Sequence, residues 1–312
     1  MESLARHLMQ LDTPPVFEES DLTATIVICT RNRPTLLRKC LEGITHLERI
    51  PDEMIVVDNT SGDEETEAVA REFAAIYKVE PMPGASRARN RGLAESNSEI
   101  VAYLDDDATP DVHWLGKLLG PFKDPHVAAV AGKVVTPQSL AENSARQTAR
   151  FLTNKDPDWF EIATFGGLAL ASNMAFRRRA CAGQRVFDER LGRGAPFQIG
   201  EEHYAFAFLL SRGYTVGYLP DAIVFHPNPA HDEIKQEARN LIAYSMLMFS
   251  EFPGSRFDLL RFLFRRVRRK PLTWQRDAPD PGEIVTSGWR VLLAASLSAV
   301  LLFFRTRKSK HK

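Results

Sequence analysis

Three consecutive aspartates, Asp105 to Asp107, follow directly on the apolar, strand-forming run Ile100 to Leu104. Neighbouring carboxylates repel one another and suit neither helix nor strand interiors, so the strand must end where they begin. Such a cluster needs a counter-charge, which Mg²⁺ or Mn²⁺ supplies while keeping coordination positions open for substrate phosphates. A solvated acidic turn is the alternative, and the rest of the chain decides between the two.

Strand-like and helix-like segments alternate on both sides of this cluster. Strands are predicted at 23–29, 54–57, 76–79 and 100–104, and helices after Pro34, at 64–75 and at 86–96. This order is typical of a doubly wound parallel sheet. Ligands of such sheets bind outside the carboxyl ends of the strands. Because Thr30-Arg31, Asp58 and the aspartate cluster all fall at strand ends, we predict a ligand site at that edge.

The segment from Gly84 to Gly92 carries three arginines at the start of a predicted helix. Arg87 and Arg91 are four residues apart and share a helix face, so we expect them to reach phosphates with help from the helix N-terminus. A solvated basic face is the alternative. The sequence has neither a Gly-x-Gly-x-x-Gly motif after its first strand nor a phosphate-loop lysine. These absences argue against a dinucleotide cofactor and against ATP hydrolysis.

The second half of the chain keeps the mixed pattern. We predict a helix at 112–119, strands at 127–135, 166–177, 214–219 and 222–225, and a helix from Gly200 to Leu210. The polar segment 136–165 is predicted to be an irregular excursion over the active face. Glu201 and Glu202 open the helix, where the helix dipole alone favours acidic residues. His226 follows the last strand, and a lone histidine in such a place is more often structural than a ligand.

Composition and charge limit the protein's class and compartment. The chain has 312 residues, 44% hydrophobic and 26% charged, which suits one large α/β domain with appendages or two domains. Forty basic residues balance forty acidic ones, so the net charge argues neither for nor against a nucleic-acid partner, and we expect none. The three cysteines lack metal-like spacing, which is typical of a reducing cytosol. The first 20 residues lack the apolar core of a signal peptide, so we expect no export.

The composition changes after Pro229. Apolar residues interleave with arginines up to Arg269, a pattern typical of a basic amphipathic helix on a membrane surface or of a helix packed on the main domain. The apolar run at 289–304 is shorter than the roughly 20 residues of a spanning helix. It favours an interfacial or re-entrant helix, with a single C-terminal span as the alternative. We expect a cytoplasmic protein, peripheral on the cytoplasmic face of the inner membrane.

The ordered motifs of the chain resemble those of the bacterial, inverting family 2 glycosyltransferases, which use nucleotide sugars. The resemblance covers about two-thirds of the chain, roughly from Thr23 to Pro229. It rests on Thr30-Arg31-Asn32-Arg33, Val56-Val57-Asp58-Asn59, Ala88-Arg89-Asn90-Arg91-Gly92, Asp105-Asp106-Asp107, Ser172-Asn173-Met174-Ala175-Phe176-Arg177, Gly200-Glu201-Glu202 and Phe225-His226.

This resemblance implies an α/β fold of the GT-A type: Rossmann-like, with a mostly parallel central sheet and a helical C-terminal extension. The expected organisation is an N-terminal extension at 1–20, a catalytic domain at 21–230 and a helical, basic, membrane-associated region at 231–312. Within the catalytic domain, residues 21–110 form the nucleotide-binding half and residues 111–230 the acceptor half.

The resemblance also implies roles for individual residues. Asp107 holds the metal, Asp105 and Asp106 contact ribose or metal, and His226 completes the metal shell. Asp58 faces the nucleobase. The acidic pair supplies the catalytic base; the family commonly has Glu-Asp where this chain has Glu201-Glu202, and we favour Glu202. The expected nucleotide-sugar contacts are Thr30, Arg31, Arg33, Asp58, Arg87, Arg91, Asp105 and Asp106. The expected metal ligands are Asp105, Asp107 and His226, and the ion is Mn²⁺ or Mg²⁺.

The function implied is transfer of a sugar, with inversion, from a nucleotide-diphospho-sugar to an acceptor hydroxyl. The acceptor is expected to be a saccharide or lipid-linked saccharide in cell-surface polysaccharide or glycolipid synthesis. A carboxylate base and a metal suit this chemistry, because the acceptor loses a proton while charge builds on the leaving diphosphate. One alternative is a sugar-phosphate nucleotidyltransferase, although its expected glycine-rich basic loop after the first strand is missing. The other is a non-catalytic, membrane-associated nucleotide-sugar-binding protein.

Overall fold

The computed structural model describes residues 22–137, 148–165, 168–227, 244–258 and 260. Within these residues the strands are β1 (Ala24–Thr30), β2 (Glu53–Asp58), β3 (Ile76–Val79), β4 (Ile100–Asp105), β5 (Thr109–Pro110), β6 (Val127–Val135), β7 (Arg150–Leu152), β8 (Asn173–Arg177) and β9 (Thr215–Phe225). The helices are α1 (Pro34–Thr45), α2 (Glu64–Glu72), α3 (Ala85–Glu95), α4 (Trp114–Leu119), α5 (Trp159–Phe165), α6 (Arg178–Cys181), α7 (Glu201–Ser211) and α8 (244–251). Short 3₁₀ turns lie at Gly120–Lys123 and Pro253–Ser255.

All nine described strands form one sheet in the order β3-β2-β1-β4-β8-β6-β9-β5, and β7 pairs with β9. The strands β3, β2, β1 and β4 are parallel, as the alternation of strands and helices predicts. Beyond them the sheet is mixed, because β8 runs antiparallel to both β4 and β6 whereas β9 is parallel to β6. The α/β prediction is confirmed, and its parallel part is the half that includes the aspartate cluster.

The sheet is covered on both faces because its central strands are apolar on both sides. In β1, Ile26 and Ile28 face one cluster, which includes Leu37 and Leu41 of α1, whereas Val27 faces the other cluster, which includes Ala88 of α3. This arrangement is typical of an α/β sheet between two helical layers. It leaves the strand ends as the edge where polar side chains gather.

Three expectations for the second half are wrong in detail. The segment 136–165 is not irregular throughout, since 150–152 form β7 and 159–165 form α5, whose Phe160 and Ile162 are buried in the core; residues 138–147 of this segment lie outside the described part of the chain. The strand expected at 166–177 begins only at Asn173. The two strands expected between 214 and 225 are one strand, β9, whose register against β6 shifts between Leu219 and Ile223. These short elements are defined by contacts with distant strands, which local patterns do not reveal.

The described part of the C-terminal region packs on the main body. Tyr244, Leu247 and Met248 of α8, and Phe252 after it, are buried in the same cluster as α5 and α7. Helical structure here agrees with the prediction, whereas most of the basic segment up to Arg269 and the whole apolar run at 289–304 lie outside the described residues. Among the described helices, none has the length and apolar character needed to cross a membrane.

Candidate active site

The carboxyl ends of three parallel strands bring the predicted site residues together. The register pairs Thr30 of β1 with Asp58 of β2, and Cys29 of β1 with Asp105 of β4. Thr30 donates a hydrogen bond from Oγ1 to Asp106 at 2.7 Å. The predicted convergence at one edge is therefore present, and it follows from the matched lengths of three neighbouring strands.

His226 reaches this edge through a small antiparallel pairing. Shortly after the aspartate cluster, Thr109 of β5 pairs with Phe225, the last residue of β9, and this pairing brings the next residue, His226, to the aspartates. The Nε2 atom of His226 lies 3.0 Å from Asp107 Oδ1 and 3.7 Å from Asp105 Oδ2. Its Nδ1 atom lies 2.7 Å from the carbonyl oxygen of Pro227, which suits an Nδ1–H donor and leaves Nε2 for the carboxylates or an ion.

Asp105, Asp107 and His226 together have the chemistry of a divalent-cation site. One ligand atom from each lies within 4.8 Å of the others, which is close enough for a single ion. Two carboxylates and an imidazole form a set of oxygen and nitrogen donors that suits Mn²⁺, while carboxylates alone would serve Mg²⁺ equally well. The residues present therefore fit the ion that the sequence predicts.

The acidic and basic groups of this cluster shift one another's pKa values. Hydrogen bonds that His226 donates to Asp105 and Asp107 raise its pKa to about 10. In turn, the hydrogen bond from His226 lowers the pKa of Asp107. Burial raises the pKa of Asp106, although Thr30 and the charge of Arg33 oppose this effect. Arg33 Nη1 lies 3.0 Å from Asp106 and 3.2 Å from Asp107, so it is a further cation at the site.

The acidic pair lies at the start of α7 and is linked to the aspartate cluster through Arg89. Gly200, in a left-handed conformation with a φ of 87°, begins α7, and Glu201 and Glu202 form its first turn. Glu201 accepts a hydrogen bond from Arg89 Nη1 at 2.8 Å, and Arg89 Nη2 lies 3.4 Å from Asp105. A single buried guanidinium thus separates the acidic pair from the predicted metal ligands.

Burial sets the protonation behaviour of the pair. It raises the pKa of Glu201 to about 7, with a further increase from the charge of Glu202 and an opposing effect of Arg89. Burial also raises the pKa of Glu202. Arg89 holds Glu201 in place, whereas no ion pair ties Glu202 to a basic residue in the described parts of the chain. Glu202 is therefore the carboxylate with more freedom to exchange a proton.

Other residues predicted to contact the nucleotide sugar bond to neighbours outside the aspartate cluster. Asp58 is buried, and its carboxylate accepts hydrogen bonds from the hydroxyls of Thr60 and Tyr77. Arg31 donates to the backbone carbonyl of Asn59. Arg87 pairs with Glu189, and Arg91 pairs with Glu95 one turn along α3. Of the three arginines in α3, the structure brings Arg89 to the aspartates and not Arg87 or Arg91.

Arg89 is a residue of the candidate site whose position the sequence analysis did not predict. The buried residues of α3 are Ser86, Ala88, Arg89 and Gly92. A Cβ atom at Gly92 would lie 2.3 Å from Val27 of β1, so this glycine marks the face that packs on the sheet. The small residues Ala88 and Gly92 are four positions apart, and this spacing could have indicated which face of the helix packs on the sheet.

Comparison with known proteins agrees with this geometry. A family model described as "Glycosyl transferase family 2" matches residues 25–185, just over half of the chain. The chain belongs to this family. As a family 2 glycosyltransferase it is an enzyme of the inverting class, and the resemblance inferred from its motifs is confirmed.

Several relatives extend the comparison to the second half. The family 2 glycosyltransferase described here is 25% identical to the glycosyltransferase AglE of Haloferax volcanii over 69% of its own length and 70% of AglE. It is 30% identical to the succinoglycan biosynthesis protein ExoM of Rhizobium meliloti over 65% of its length and 66% of ExoM. It spans only 59% of a longer relative, a probable glycosyltransferase of Bacillus subtilis.

The fold also has solved counterparts. The mannosyltransferase PcManGT of Pyrobaculum calidifontis, solved with GDP-mannose and Mn²⁺, matches with a TM-score of 0.56 at 16% identity. The match covers 97% of this chain and 94% of PcManGT. At that identity the likeness shows the fold alone, and it confirms the predicted GT-A type.

Proposed function

We propose that this glycosyltransferase moves a sugar from a nucleotide-diphospho-sugar to a hydroxyl of a saccharide or lipid-linked saccharide. The observation that supports the proposal is the position of Arg89, whose guanidinium contacts both Asp105, one of the three candidate cation ligands, and Glu201 of the acidic pair. Inverting transfer needs two functions: the cation neutralises the leaving diphosphate, and a carboxylate removes the acceptor proton. The name of ExoM supports a role in polysaccharide synthesis.

Asp105, Asp107 and His226 would hold Mn²⁺ or Mg²⁺, which when bound supplies positive charge for the diphosphate of the donor. Arg33 adds a fixed cation beside the same aspartates. Thr30 and Arg33 keep Asp106 in a defined orientation, as their hydrogen bonds to its carboxylate indicate. The donor is thereby held with its diphosphate toward the strand ends.

Glu202 would accept the acceptor's proton. As the acceptor oxygen forms a bond to the anomeric carbon, the bond from that carbon to the phosphate oxygen breaks, and its electron pair leaves with the diphosphate. The proton released from the acceptor hydroxyl is taken up by the Glu202 carboxylate. Because attack and departure occur on opposite faces of the carbon in one displacement, the anomeric configuration inverts.

A nucleotide-binding screen tests the donor and metal assignments. Thermal stability of the purified protein is measured with UDP-, GDP-, dTDP- and CMP-linked sugars, each with and without Mn²⁺. A ligand that binds only the folded state raises its stability, by about 2.7 kcal/mol at a concentration 100 times its Kd. We expect one nucleotide class to stabilise the wild type only when Mn²⁺ is present.

Two variants sharpen this screen. Asp107→Asn is expected to lose the metal-dependent stabilisation because it removes one charged ligand from the set. Asp221→Asn, which changes an exposed aspartate of β9, is the matched control and should respond like the wild type. If no nucleotide stabilises the wild type under any condition, the donor proposal is wrong and the non-catalytic alternative gains support.

We also propose that the C-terminal region brings the enzyme to the cytoplasmic face of the membrane. Phe257 is 75% exposed and Leu260 is 54% exposed at the end of the described chain. Basic residues follow closely in the sequence, and this combination suits an anionic lipid surface. Flotation with vesicles of anionic and neutral lipid tests the proposal, which a wholly unbound protein in both cases would contradict.

A further inference from the structure

Asn173 belongs to a motif on which the family resemblance rests, yet it contacts neither the aspartate cluster nor the acidic pair. It is fully buried at the start of β8. In the sheet, β8 lies between β4, which ends in the aspartates, and β6, the neighbour of β9. The register pairs Asn173 with Leu104, the residue before Asp105. Asn173 therefore lies between the strand that carries the aspartates and the strands that lead to His226.

The last part of β9 is displaced by a large bulge. Gly132 of β6 pairs with Leu219 of β9. The next residue of β6, Lys133, pairs with Ile223, so residues 220–222 lie outside the register. Before the bulge β9 also pairs with β7, and after it with β5, the strand that follows the aspartate cluster. The bulge is thus the point at which β9 turns from one partner to the other.

This bulge determines where His226 lies. If regular pairing continued, Val135 would face Ala222 instead of Phe225. The extra residues span about 10 Å of strand, and their odd number also reverses the face to which later side chains point. With the bulge, His226 donates its backbone N–H to the carbonyl oxygen of Val135 at 2.9 Å, and its Nε2 atom lies 3.0 Å from Asp107. The bulge therefore directs the imidazole to the aspartates, as bulges beside functional sites often do.

The side-chain amide of Asn173 holds the bulge together. Its Nδ2 atom donates to the carbonyl oxygens of Lys133 and Ala222, each at 2.8 Å. Lys133 is the first residue of β6 after the shift, and Ala222 is the last residue of the bulge. The Oδ1 atom of Asn173 accepts a hydrogen bond from Trp114 Nε1 at 2.8 Å. Because an indole nitrogen only donates, this bond fixes the orientation in which the amide nitrogen faces the two carbonyls.

Gly132 provides the space for this contact. A Cβ atom there would lie 2.4 Å from Nδ2 and 2.5 Å from Oδ1 of Asn173, and 2.3 Å from the carbonyl oxygen of Ala222. The amide therefore crosses β6 at a residue without a side chain and reaches the strand beyond it. Backbone pairing joins only neighbouring strands, so this link from β8 to β9 depends on the side chain of Asn173.

We propose that Asn173 is a positioning residue for the metal site, because it holds the bulge that brings His226 to Asp105 and Asp107. The inference rests on the proposed function, in which those three residues hold Mn²⁺ or Mg²⁺. Residues behind the ligands orient them, and their loss typically weakens metal binding about 10- to 100-fold. Asn173 orients its ligand through the path of a strand and not through a hydrogen bond to the imidazole.

The Mn²⁺ affinity of the purified full-length protein tests the proposal without turnover. Electron paramagnetic resonance measures free Mn²⁺ during a titration with the metal alone. We expect Asn173→Leu, which keeps a branched side chain of similar size but has no amide, to weaken Mn²⁺ binding about tenfold or more. Val69→Ala, which removes buried atoms of α2, is the control for lost stability and should bind Mn²⁺ like the wild type.

A double-mutant cycle tests whether Asn173 acts through His226. In His226→Ala the imidazole is gone, so adding Asn173→Leu should weaken Mn²⁺ binding by no more than about a further twofold. Losses that multiply in full would overturn the inference, since Asn173 would then affect the metal by a route other than His226.

The metal-free protein gives a second readout. The side-chain ¹H and ¹⁵N NMR signals of His226, assigned by their absence from His226→Ala, report the contact with Asp107 at a single pH. We expect Asn173→Leu to shift these signals and Val69→Ala to leave them unchanged. If Asn173→Leu does not fold, Asn173→Ser, whose side chain is too short to reach both carbonyls, enters the same measurements with the same expected direction.

The outcomes distinguish this inference from the function on which it rests. Absence of Mn²⁺ binding by the wild type would count against the metal assignment, while the imidazole signals would still decide whether Asn173 positions His226. Unchanged His226 signals in the Asn173 variant would overturn the inference. Equal Mn²⁺ affinities of this variant and the wild type would also overturn it, and would leave the metal assignment intact.

Discussion

Arg89 donates a hydrogen bond to Glu201 at 2.8 Å across 112 positions of sequence, and thereby joins α3 to α7. Its other terminal nitrogen lies 3.4 Å from Asp105. Both Arg89 and Glu201 are buried, so their charges depend on each other in a way that exposed pairs do not. This one side chain therefore bridges the aspartate cluster and the acidic pair.

We expect Arg89→Met to lower the free energy of unfolding by about 3 kcal/mol. The substitution retains much of the apolar side chain but leaves Glu201 buried without its cation, and breaking a buried pair in this way typically costs about 3–5 kcal/mol. Urea denaturation of the purified protein measures the loss. A second expected effect is weaker metal-dependent stabilisation by nucleotide, because Asp105 loses a neighbouring cation that orients it.

The control for this prediction lies on the same helix. Arg91 pairs with Glu95 at 2.9 Å, and its side chain is 42% exposed. Arg91→Met should change stability by no more than about 0.5 kcal/mol, since exposed pairs four residues apart contribute little. Equal losses in the two variants would show that helix propensity, and not the buried pair, is responsible.

Substitution of each glutamate in turn by glutamine separates the roles of Glu201 and Glu202. Glu202→Gln should lower kcat by at least about 100-fold, because a general base contributes a factor of this order or more. Glu201→Gln, which retains a hydrogen-bond acceptor for Arg89, should lower kcat less. Single-turnover transfer assays measure both variants, with donor binding as the control for folding. A larger loss in Glu201→Gln would reverse the assignment of the base.

The pH dependence of activity follows from the same burial. Glu202 must be ionised to accept a proton, and burial raises its pKa above the ordinary value of 4.5. The loss of activity on acidification should therefore occur at higher pH than for an exposed glutamate. The acid limb of the pH profile of kcat/KM measures this shift. Glu202→Asp, whose side chain is one methylene shorter, should still show an acid limb, but with a lower kcat/KM throughout.

Sequence patterns predicted the first half of this protein better than the second. Strands β1 to β4 and the polar groups at their ends follow local rules, since each strand is an apolar run that ends in a turn signal. Arg89 was missed because three arginines share one segment and only contact with Val27 decides which of them faces the sheet. The contact between Tyr244 and Gly200 was not predicted because it arises from long-range packing, for which no local pattern exists.

Acid stability should reveal the lowered pKa of His203. The pKa of His203 is lowered to about 4, so the unfolded chain binds a proton below about pH 6.5 that the folded protein cannot bind. This group therefore removes stability as pH falls from about 6.5 to 4, by up to about 1.4 kcal/mol per pH unit. Glu201 acts in the opposite sense, because its raised pKa makes the folded state bind more protons over much of that range.

The difference between wild type and His203→Gln isolates the histidine. Glu201 contributes to both proteins, so subtracting their unfolding free energies removes most of its effect. We expect the variant to gain relative stability steadily as the pH is lowered from 6.5 to 4, a window that follows from the shift of His203. Urea denaturation at several pH values, with EDTA present to remove metal, measures the difference. A constant difference across this range would mean that the pKa of His203 is not lowered in the folded protein.

The contact between α8 and α7 can be measured through two glycines of matched conformation. Gly200 has a φ of 87° and Gly213 a φ of 86°, so alanine meets similar backbone strain at both positions, of about 1–2 kcal/mol. A Cβ atom at Gly200 would lie 2.5 Å from the ring of Tyr244, whereas nothing lies within 4 Å of one at Gly213. Gly200→Ala should therefore destabilise the protein by more than Gly213→Ala. The extra loss of unfolding free energy in Gly200→Ala, measured by urea denaturation, reports how firmly Tyr244 packs on α7. An equal loss in the two variants would mean that Tyr244 can move away from the added Cβ atom at no cost.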